Sequence, residues 1–290
     1  MPARATELRR YVHATRVDST VLRVESHRAS WFSRNSRISS KYPFLAKPRD
    51  AGFCCSIDRL CCGFQSLHMR IKPIAEICDQ LLDHPAYLHV DAAQGYGKVS
   101  NPLKNKRIDL ISVSAHKLYG PKGVGALIAR RREYDRPPLA PLMFGGGQEK
   151  GLRPGTLPVP LIAGLGLAAQ MAGTEVDSRL KKLRKFRRSI LSGLTPLVPE
   201  FNGDQQQVLT NTISLSIPGL DSEAFMLATK GIIAVSNGSA CTSQNYQPSY
   251  VLKAMGHDTD RVKSAVRLSW CHMTSEVDWD QVVEAVTRVR

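Results

Sequence analysis

The chain has 290 residues, an ordinary apolar content of 42% and a formal net charge of +15 at neutral pH. This length is enough to bury a sizeable core in one or two domains, and no apolar run is long enough to span a bilayer, so a membrane protein is not expected. The positive charge is spread along the sequence and does not form one patch, so direct binding to nucleic acid is not expected either.

Cysteine usage predicts the compartment. The chain has seven cysteines, and an odd number in a sequence without a secretory h-region indicates free thiols in a reducing environment, which predicts a cytoplasmic protein. The cysteine-rich stretch CCSIDRLCC (residues 54–62) has neither the CxxC spacing of a zinc ribbon nor a histidine. No metal site is therefore expected.

Residues 1–67 differ from the rest of the chain. They are rich in arginine and serine and show no sustained hydrophobic period, so we expect an atypical segment that is disordered or non-homologous. Regular patterns begin at residue 71. There Ile74, Ile77 and Leu81 recur along one side of a predicted helix.

Three apolar strands are predicted next, in AYLHVDAAQ (86–94), RIDLISVSAHK (107–117) and GVGALIARR (123–131). With the preceding helix they give the spacing of an α/β sheet, which binds ligands at the carboxyl ends of its strands. A glycine-rich loop, GGGQEKGLRPGTLP (145–158), follows, and a helix is predicted in VPLIAGLGLAAQMAG (159–173).

The last part of the chain alternates between shorter elements, which predict a small α+β domain. RLKKLRKFRR (179–188) has helical spacing with three apolar residues on one side, which predicts a solvated basic face on the other. Strands are predicted in NTISLSIPGL (211–220), GIIAVSNGSAC (231–241) and AVRLSWC (265–271). Helices are predicted in DSEAFMLATKG (221–231), PSYVLKAMG (248–256) and SEVDWDQVVEAVTRVR (275–290).

Two polar residues stand where predicted strands end. Lys117 lies between an apolar strand and a glycine-rich loop, and a lysine is a nucleophile only when desolvation or nearby positive charge favours the unprotonated amine. Asp91 ends the strand before it, and a carboxylate at that position suits a protonated pyridine nitrogen. The alternatives are a surface lysine and a turn-capping aspartate, which are common at strand ends.

Other residues near these two have matching chemistry. Gln94 is an amide able to bond a phenolic oxygen, and Ser114 and His116 flank the lysine and are able to bind a phosphate group. In SNGSACTS, Cys241 lies in a loop of small residues, where a thiol is reactive if its thiolate is favoured. Arg267 is able to clamp a carboxylate. Each of these residues, taken alone, is more often structural.

Taken together, the motifs identify a family. HVDAAQ, SVSAHKLYGPKGVGAL, GGGQEKGLRPGTLPVP, NGSACTS and PSYVLKAMG occur in this order and are followed by VRLSW. The chain resembles the pyridoxal-phosphate-dependent cysteine desulfurases of the class V aminotransferase group over about residues 71–290, and it is most similar to those of DNA phosphorothioation systems.

The resemblance implies an α/β fold. A type I pyridoxal-phosphate transferase (aspartate aminotransferase-like) large domain, truncated, is expected over residues 68–165, and a small α+β domain with the Cys241 loop over residues 166–290. The family's Gly-Ala-Thr phosphate loop and ring-stacking histidine have no match in residues 1–67. We therefore expect the family's N-terminal third to be missing or replaced in this chain.

The resemblance also implies roles in binding pyridoxal 5′-phosphate. Lys117 would form the internal Schiff base, Asp91 would pair with the pyridine nitrogen, and Gln94 would contact the phenolic oxygen. Ser114 and His116 would bind the phosphate, and His116 is also a catalytic candidate.

The remaining roles concern the substrate and the partners. Thr156 would reach the phosphate of the neighbouring subunit's cofactor, which implies a homodimer. Arg267 would hold the carboxylate of L-cysteine, and Cys241 would take its sulfur as a persulfide, leaving L-alanine. A sulfur-acceptor protein would then receive the sulfur for DNA phosphorothioation or Fe–S assembly.

Two alternatives stay open at this point. The chain is either an active desulfurase or a catalytically impaired fragment that acts only in dimerisation or in docking the sulfur acceptor. A sibling class V enzyme, such as a selenocysteine lyase or an aminotransferase, is disfavoured by Cys241 in GSACTS.

Overall fold

The structure is a computed structural model that describes residues 12–15, 59–63, 71–237 and 249–290. The described chain forms two compact units. The first unit comprises residues 12–15, 59–63 and 72–174, and the second comprises residue 71 and residues 175–237 and 249–290. The boundary expected after residue 165 falls inside a helix that belongs wholly to the first unit.

The first unit is built on a five-stranded sheet with the order β1-β5-β4-β3-β2. The strands are β1 (Val12–Thr15), β2 (Arg59–Gly63), β3 (Tyr87–Asp91), β4 (Leu110–Ser114) and β5 (Gly125–Ala129). β2, β3 and β4 are parallel, whereas β5 runs antiparallel to β4 and β1 antiparallel to β5. The sequence pattern predicts β3, β4 and β5 but gives no signal for β1 and β2, which pair at the two edges of the sheet.

Helices and short 3-10 turns complete the first unit. α1 (Ile74–Gln80) buries Ile74 and Ile77, as its periodicity predicts, and α2 (Val159–Thr174) follows the glycine-rich loop. The 3-10 turns are Asn101–Lys104, Ala115–Leu118 and Gln148–Gly151. α2 packs against the turn Ala115–Leu118, so the helix supports the segment directly after β4.

The second unit contains a three-stranded antiparallel sheet with the order β6-β7-β8 and several helices. Its strands are β6 (Glu200–Phe201), β7 (Thr212–Ser216) and β8 (Ala265–Ser269). Its helices are α3 (Val176–Gly193), α4 (Ser222–Ala228), α5 (Tyr250–Ala254), α6 (Thr259–Lys263) and α7 (Trp279–Thr287), with a 3-10 turn at Thr195–Leu197.

The amphipathic prediction for the basic helix is confirmed. In α3, Leu183 is buried, Leu180 and Phe186 pack against the same core, and the core continues through Phe225 of α4 and Val282 of α7. The opposite face is exposed and basic, with Lys181, Lys182, Arg184, Lys185 and Arg188. Burial of the apolar stripe therefore stabilises the helix, while its charges stay solvated.

One predicted strand is wrong over its described part. Residues 231–237 of GIIAVSNGSAC form no strand and contain only an isolated bridge between Ser236 and Arg267. Ile232, Ile233 and Val235 instead pack partly buried against the core, so their apolar character reflects side-chain packing without a hydrogen-bonded ladder.

Among the described residues, no single helix is long and apolar enough to cross a membrane. α2 and α3 meet that criterion of length and composition only when they are counted together as a broken span.

Candidate active site

The candidate site lies at the carboxyl ends of two parallel strands. Asp91 is the last residue of β3, Ser114 is the last residue of β4, and the two strands are neighbours in the sheet. The turn Ala115–Leu118 follows β4 at once and carries Lys117. Asp91 pairs with Ser112 in the parallel register and Lys117 follows Ser112 by five residues, so the predicted carboxylate and amine both lie at the carboxyl ends of neighbouring strands.

Asp91 is exposed and anchored at one oxygen. Its Oδ1 accepts a hydrogen bond from the backbone N–H of Ala93 at 3.0 Å, which leaves the second oxygen able to accept from a ligand. His89 lies two residues earlier on the same face, and its Nε2 is 2.6 Å from Oγ of Ser112. Burial lowers the pKa of His89 while the charge of Asp91 opposes this shift, so the imidazole is neutral at neutral pH.

Ser114 and His116 are joined across the start of the turn. Oγ of buried Ser114 lies 2.9 Å from Nδ1 of exposed His116. Desolvation lowers the pKa of His116, and the charges of Lys117 and Lys122 lower it further, so this imidazole is also neutral at neutral pH. A hydroxyl, a neutral imidazole and two nearby ammonium groups are chemistry that suits an anionic phosphate.

The backbone around Lys117 is held by close packing. The N–H of Gly120 donates to the carbonyl of Ala115 at 2.9 Å, and a Cβ at Gly120 would lie 3.0 Å from Cβ of Ala168 in α2. Tyr119, directly before Gly120, has a left-handed φ of 66°. Glycine is needed at position 120, three residues after the lysine, because α2 approaches the turn this closely.

A second tight turn, residues 92–99, follows β3 and packs against the same helix. Gly97 has a φ of +75°, and a Cβ there would lie 2.8 Å from Cβ of Ala172 and 3.2 Å from a methyl group of Leu118. The turn that follows Asp91 and the turn that carries Lys117 are therefore packed against each other and against α2.

Lys98 is not among the site residues that the sequence predicts. Its Nζ donates to the backbone carbonyl of Gln94 at 3.2 Å and lies 3.5 Å from the side-chain Oε1 of the same residue. Burial, together with the charge of Lys117, lowers the pKa of Lys98 to about 8. The only sequence signal is that Gln94 and Lys98 are four residues apart between two predicted strands.

Thr156 belongs to the glycine-rich loop, which follows β5 in the chain. It is exposed in the glycine-rich loop, where Oε1 of Gln148 accepts from the N–H of Gly155 at 3.1 Å. Glu149 and Lys150 have left-handed φ values of 51° and 59° in this loop. Two consecutive non-glycine residues in that region indicate a loop whose conformation is imposed by its own contacts.

Arg267 belongs to β8 of the second unit and is half-buried. Its backbone exchanges two hydrogen bonds with Ser236, at 2.6 and 3.1 Å. Ser236 precedes Cys241 by five residues, so the segment that leads to Cys241 starts beside Arg267. Cys241 itself lies outside the described residues.

The structure thus brings most of the predicted cofactor residues together in the first unit. They are Asp91, Gln94, Ser114, His116 and Lys117. The individual roles of these residues, and those of Thr156, Arg267 and Cys241, stay predictions. Cys78 is buried in α1, and desolvation raises its pKa to about 11.

Comparison with known proteins gives consistent matches. The family model for aminotransferase class V matches residues 62–282. A cysteine desulfurase of Mus musculus is 41% identical over 215 residues, which cover 73% of this chain and 46% of that protein. The cysteine desulfurase IscS of Rickettsia bellii is 40% identical over 218 residues, covering 74% of this chain and 52% of that protein. The chain spans about half the length of the curated relatives it matches.

Solved structures agree with these relatives. DndA from Streptomyces lividans is 42% identical with a TM-score of 0.63, over 73% of this chain and 60% of that one. A NifS-like protein from Rickettsia africae is 26% identical with a TM-score of 0.70, over 87% and 66% of the two chains. These matches confirm the predicted resemblance and the predicted fold class.

Proposed function

This chain belongs to the class V aminotransferase family, and we propose from that premise that it acts as a cysteine desulfurase. The proposed reaction converts L-cysteine to L-alanine and leaves the sulfur as a persulfide on Cys241. Cysteine desulfurases of about 40% identity support this activity. The observation that carries the proposal is the position of Asp91 and Lys117 at the carboxyl ends of adjacent parallel strands.

The residues at the carboxyl ends of β3 and β4 fit pyridoxal phosphate. The free carboxylate oxygen of Asp91 suits the protonated ring nitrogen, and the pair Ser114–His116 beside Lys117 and Lys122 suits the phosphate. When bound, the cofactor supplies an electron sink that weakens the bonds around the substrate's reacting carbons. Lys117 would hold it covalently and then move a proton at its own Nζ.

Proton transfer by His116 is restricted to one ring nitrogen. Because Nδ1 is hydrogen-bonded to Oγ of Ser114, Nε2 is the atom able to exchange a proton with a ligand. The lowered pKa of His116 keeps the imidazole neutral at neutral pH, and Nε2 is able to accept a proton in the tautomer whose Nδ1–H donates to Oγ of Ser114.

Sulfur transfer uses two residues of the C-terminal part. The guanidinium of Arg267 would bind the substrate carboxylate. The thiolate of Cys241 would attack the substrate sulfur, so that an S–S bond forms and the Cβ–S bond breaks, with its electron pair left on the carbon that is protonated to give alanine. We also propose a reducing, cytoplasmic setting, since the thiol must be free, and a sulfur-acceptor protein that takes the persulfide sulfur.

We further propose a homodimer. Large apolar side chains are exposed directly before the glycine-rich loop and on α2, on both sides of Thr156 in the chain, and such a surface is typical of an interaction site. They are Leu142, Met143, Phe144, Val159, Leu167 and Met171. A second copy covering this face would bring Thr156 against the partner subunit.

The activity is tested with the purified full chain. With saturating pyridoxal phosphate we expect a visible absorbance band that Lys117→Ala loses, and conversion of L-cysteine to alanine. Mass spectrometry should find the persulfide on Cys241, with Cys241→Ala losing both persulfide and alanine formation and Cys271→Ser, as the control, keeping them. A wild-type chain that binds no cofactor would contradict the proposal, and a dimer that persists in that case would leave only a docking role.

A further inference from the structure

The contact between Lys98 and Gln94 fixes the orientation of an amide. The side-chain ammonium of Lys98 faces two oxygens of Gln94, the backbone carbonyl at 3.2 Å and Oε1 at 3.5 Å. An ammonium group has three donors and no acceptor, so its charge favours the amide orientation that turns the oxygen, and not the NH₂ group, toward Lys98. The NH₂ group of Gln94 therefore faces away from Lys98 as a hydrogen-bond donor.

Lys98 is an unusual lysine for a structural role. It is half-buried, and no carboxylate among the described residues forms an ion pair with it. Burial followed by the charge of Lys117 lowers its pKa to about 8. A cation that is desolvated without a carboxylate partner costs stability, and such groups concentrate at functional sites.

The backbone directly before Lys98 is closely packed. Gly97 packs against Ala172 of α2 and Leu118 of the following turn so closely that a Cβ would not fit. The turn that carries Gln94 and Lys98 therefore has a fixed position relative to Lys117.

We propose that Lys98 is a positioning residue that holds the Gln94 carboxamide with its NH₂ group toward the phenolic oxygen of the bound cofactor. This inference rests on the proposed function, since it assigns Lys98 a task in binding the same cofactor. An anionic phenolic oxygen attracts an N–H donor and repels a carbonyl oxygen. Without Lys98, the amide would turn freely and present its oxygen part of the time.

The test measures the equilibrium dissociation constant of pyridoxal phosphate for the full chain. Lys98→Met should bind about tenfold more weakly than wild type, because the oriented donor to a charged group is lost. Lys98→Arg, which keeps a donor-only cation, should restore affinity to within about threefold of wild type. Lys106→Met is the control, because Lys106 is an exposed lysine of the same unit, and it should bind as wild type does.

A double-mutant cycle separates positioning from a general charge effect. In a Gln94→Leu background, Lys98→Met should cause no further loss of cofactor affinity, since there is no amide left to orient. An equal loss in both backgrounds would overturn the inference. Lys98→Ala is the second variant if Lys98→Met does not fold.

Absorbance gives a second signature. In wild-type protein the oriented donor stabilises the anionic phenolic oxygen, so the pH midpoint of the bound cofactor's visible band should rise in Lys98→Met. If wild type binds the cofactor and Lys98→Met matches its affinity and midpoint, this inference fails while the proposed function stands. If wild type and Lys106→Met both fail to bind, the proposed function fails and the inference with it.

Discussion

A Cβ atom at Gly97 would lie 2.8 Å from Cβ of Ala172, closer than two side chains are able to approach. The left-handed φ of +75° at Gly97 adds a second reason for glycine at this position. This contact locks the turn that follows β3 onto α2.

Gly97→Ala should lower the free energy of unfolding by about 3 kcal/mol, because it combines overpacking with backbone strain. Urea unfolding of the full chain measures the change. The control is Gly166→Ala, since Gly166 lies in α2 with open space at its Cβ and should gain about 1 kcal/mol from helix propensity. Equal stability of the two variants would show that the turn is not locked in this way.

Ion pairs around buried Asp109 hold the register of the strands that end at the site. Asp109, only 3% exposed, accepts from Arg107 at 2.9 Å and from Arg132 at 2.7 Å. Its Oδ2 also accepts from the N–H of Leu88 at 2.7 Å, which ties the start of β4 to β3. The relative position of Asp91 and Lys117 at the other end of these strands depends on that register.

Asp109→Asn should destabilise the first unit by about 3–5 kcal/mol, because two arginines lose their carboxylate and Arg107 is left buried. Chemical unfolding gives the value, with exposed Asp83→Asn as a control that should stay within about 0.5 kcal/mol of wild type. A small effect of Asp109→Asn would mean that the other contacts of Arg107, to the carbonyl groups of Leu81 and Ala86, suffice.

Sequence patterns predict what is local and miss what depends on distant contacts. The apolar runs around Leu88 and Ile111 predict β3 and β4. Because these strands pair in parallel, Asp91 and Lys117 both lie at the carboxyl ends of the strands. The bonds of Asp109 to Leu88 and Arg132 join residues more than 20 positions apart, so no local period indicates them.

The same limit explains the misses near the site. The task of Lys98 depends on a turn packed by Gly97, and a lysine after a glycine carries no distinct signal. In GIIAVSNGSAC the apolar run suggested a strand, but the described residues bond to β8 only through Ser236 and pack their side chains elsewhere. Propensity alone does not distinguish a buried loop from a strand.

The proposed dimer makes a prediction for one side chain. Phe144, directly before the glycine-rich loop, is 89% exposed, and a second copy covering it would bury a large apolar surface. Phe144→Glu should shift the chain from dimer to monomer in sedimentation velocity, with dimer affinity weakened about 100-fold or more. Leu227→Glu is the control, since Leu227 is also highly exposed but lies in α4 of the second unit. A wild-type chain that sediments as a monomer would rule out the proposed interface.

The desolvated amine of Lys98 makes stability depend on pH. Its pKa is about 8 in the folded chain against 10.5 as the ordinary value, so the unfolded chain binds the proton more tightly between these pH values. The free energy of unfolding should therefore rise as pH increases from about 8 to about 10.5. Below pH 8 the full penalty for the buried charge is present.

Lys98→Met removes this penalty. At pH 7 the variant should unfold with a free energy up to about 3 kcal/mol higher than wild type, and the difference should shrink as pH approaches 10. Urea unfolding of cofactor-free protein at pH 7, 9 and 10 measures it, with Lys106→Met expected to follow wild type throughout. A difference that does not vary with pH would mean that packing, and not the amine's charge, is responsible. Because the same substitution is expected to weaken cofactor binding, Lys98 would be retained for its effect on the site at a cost in stability.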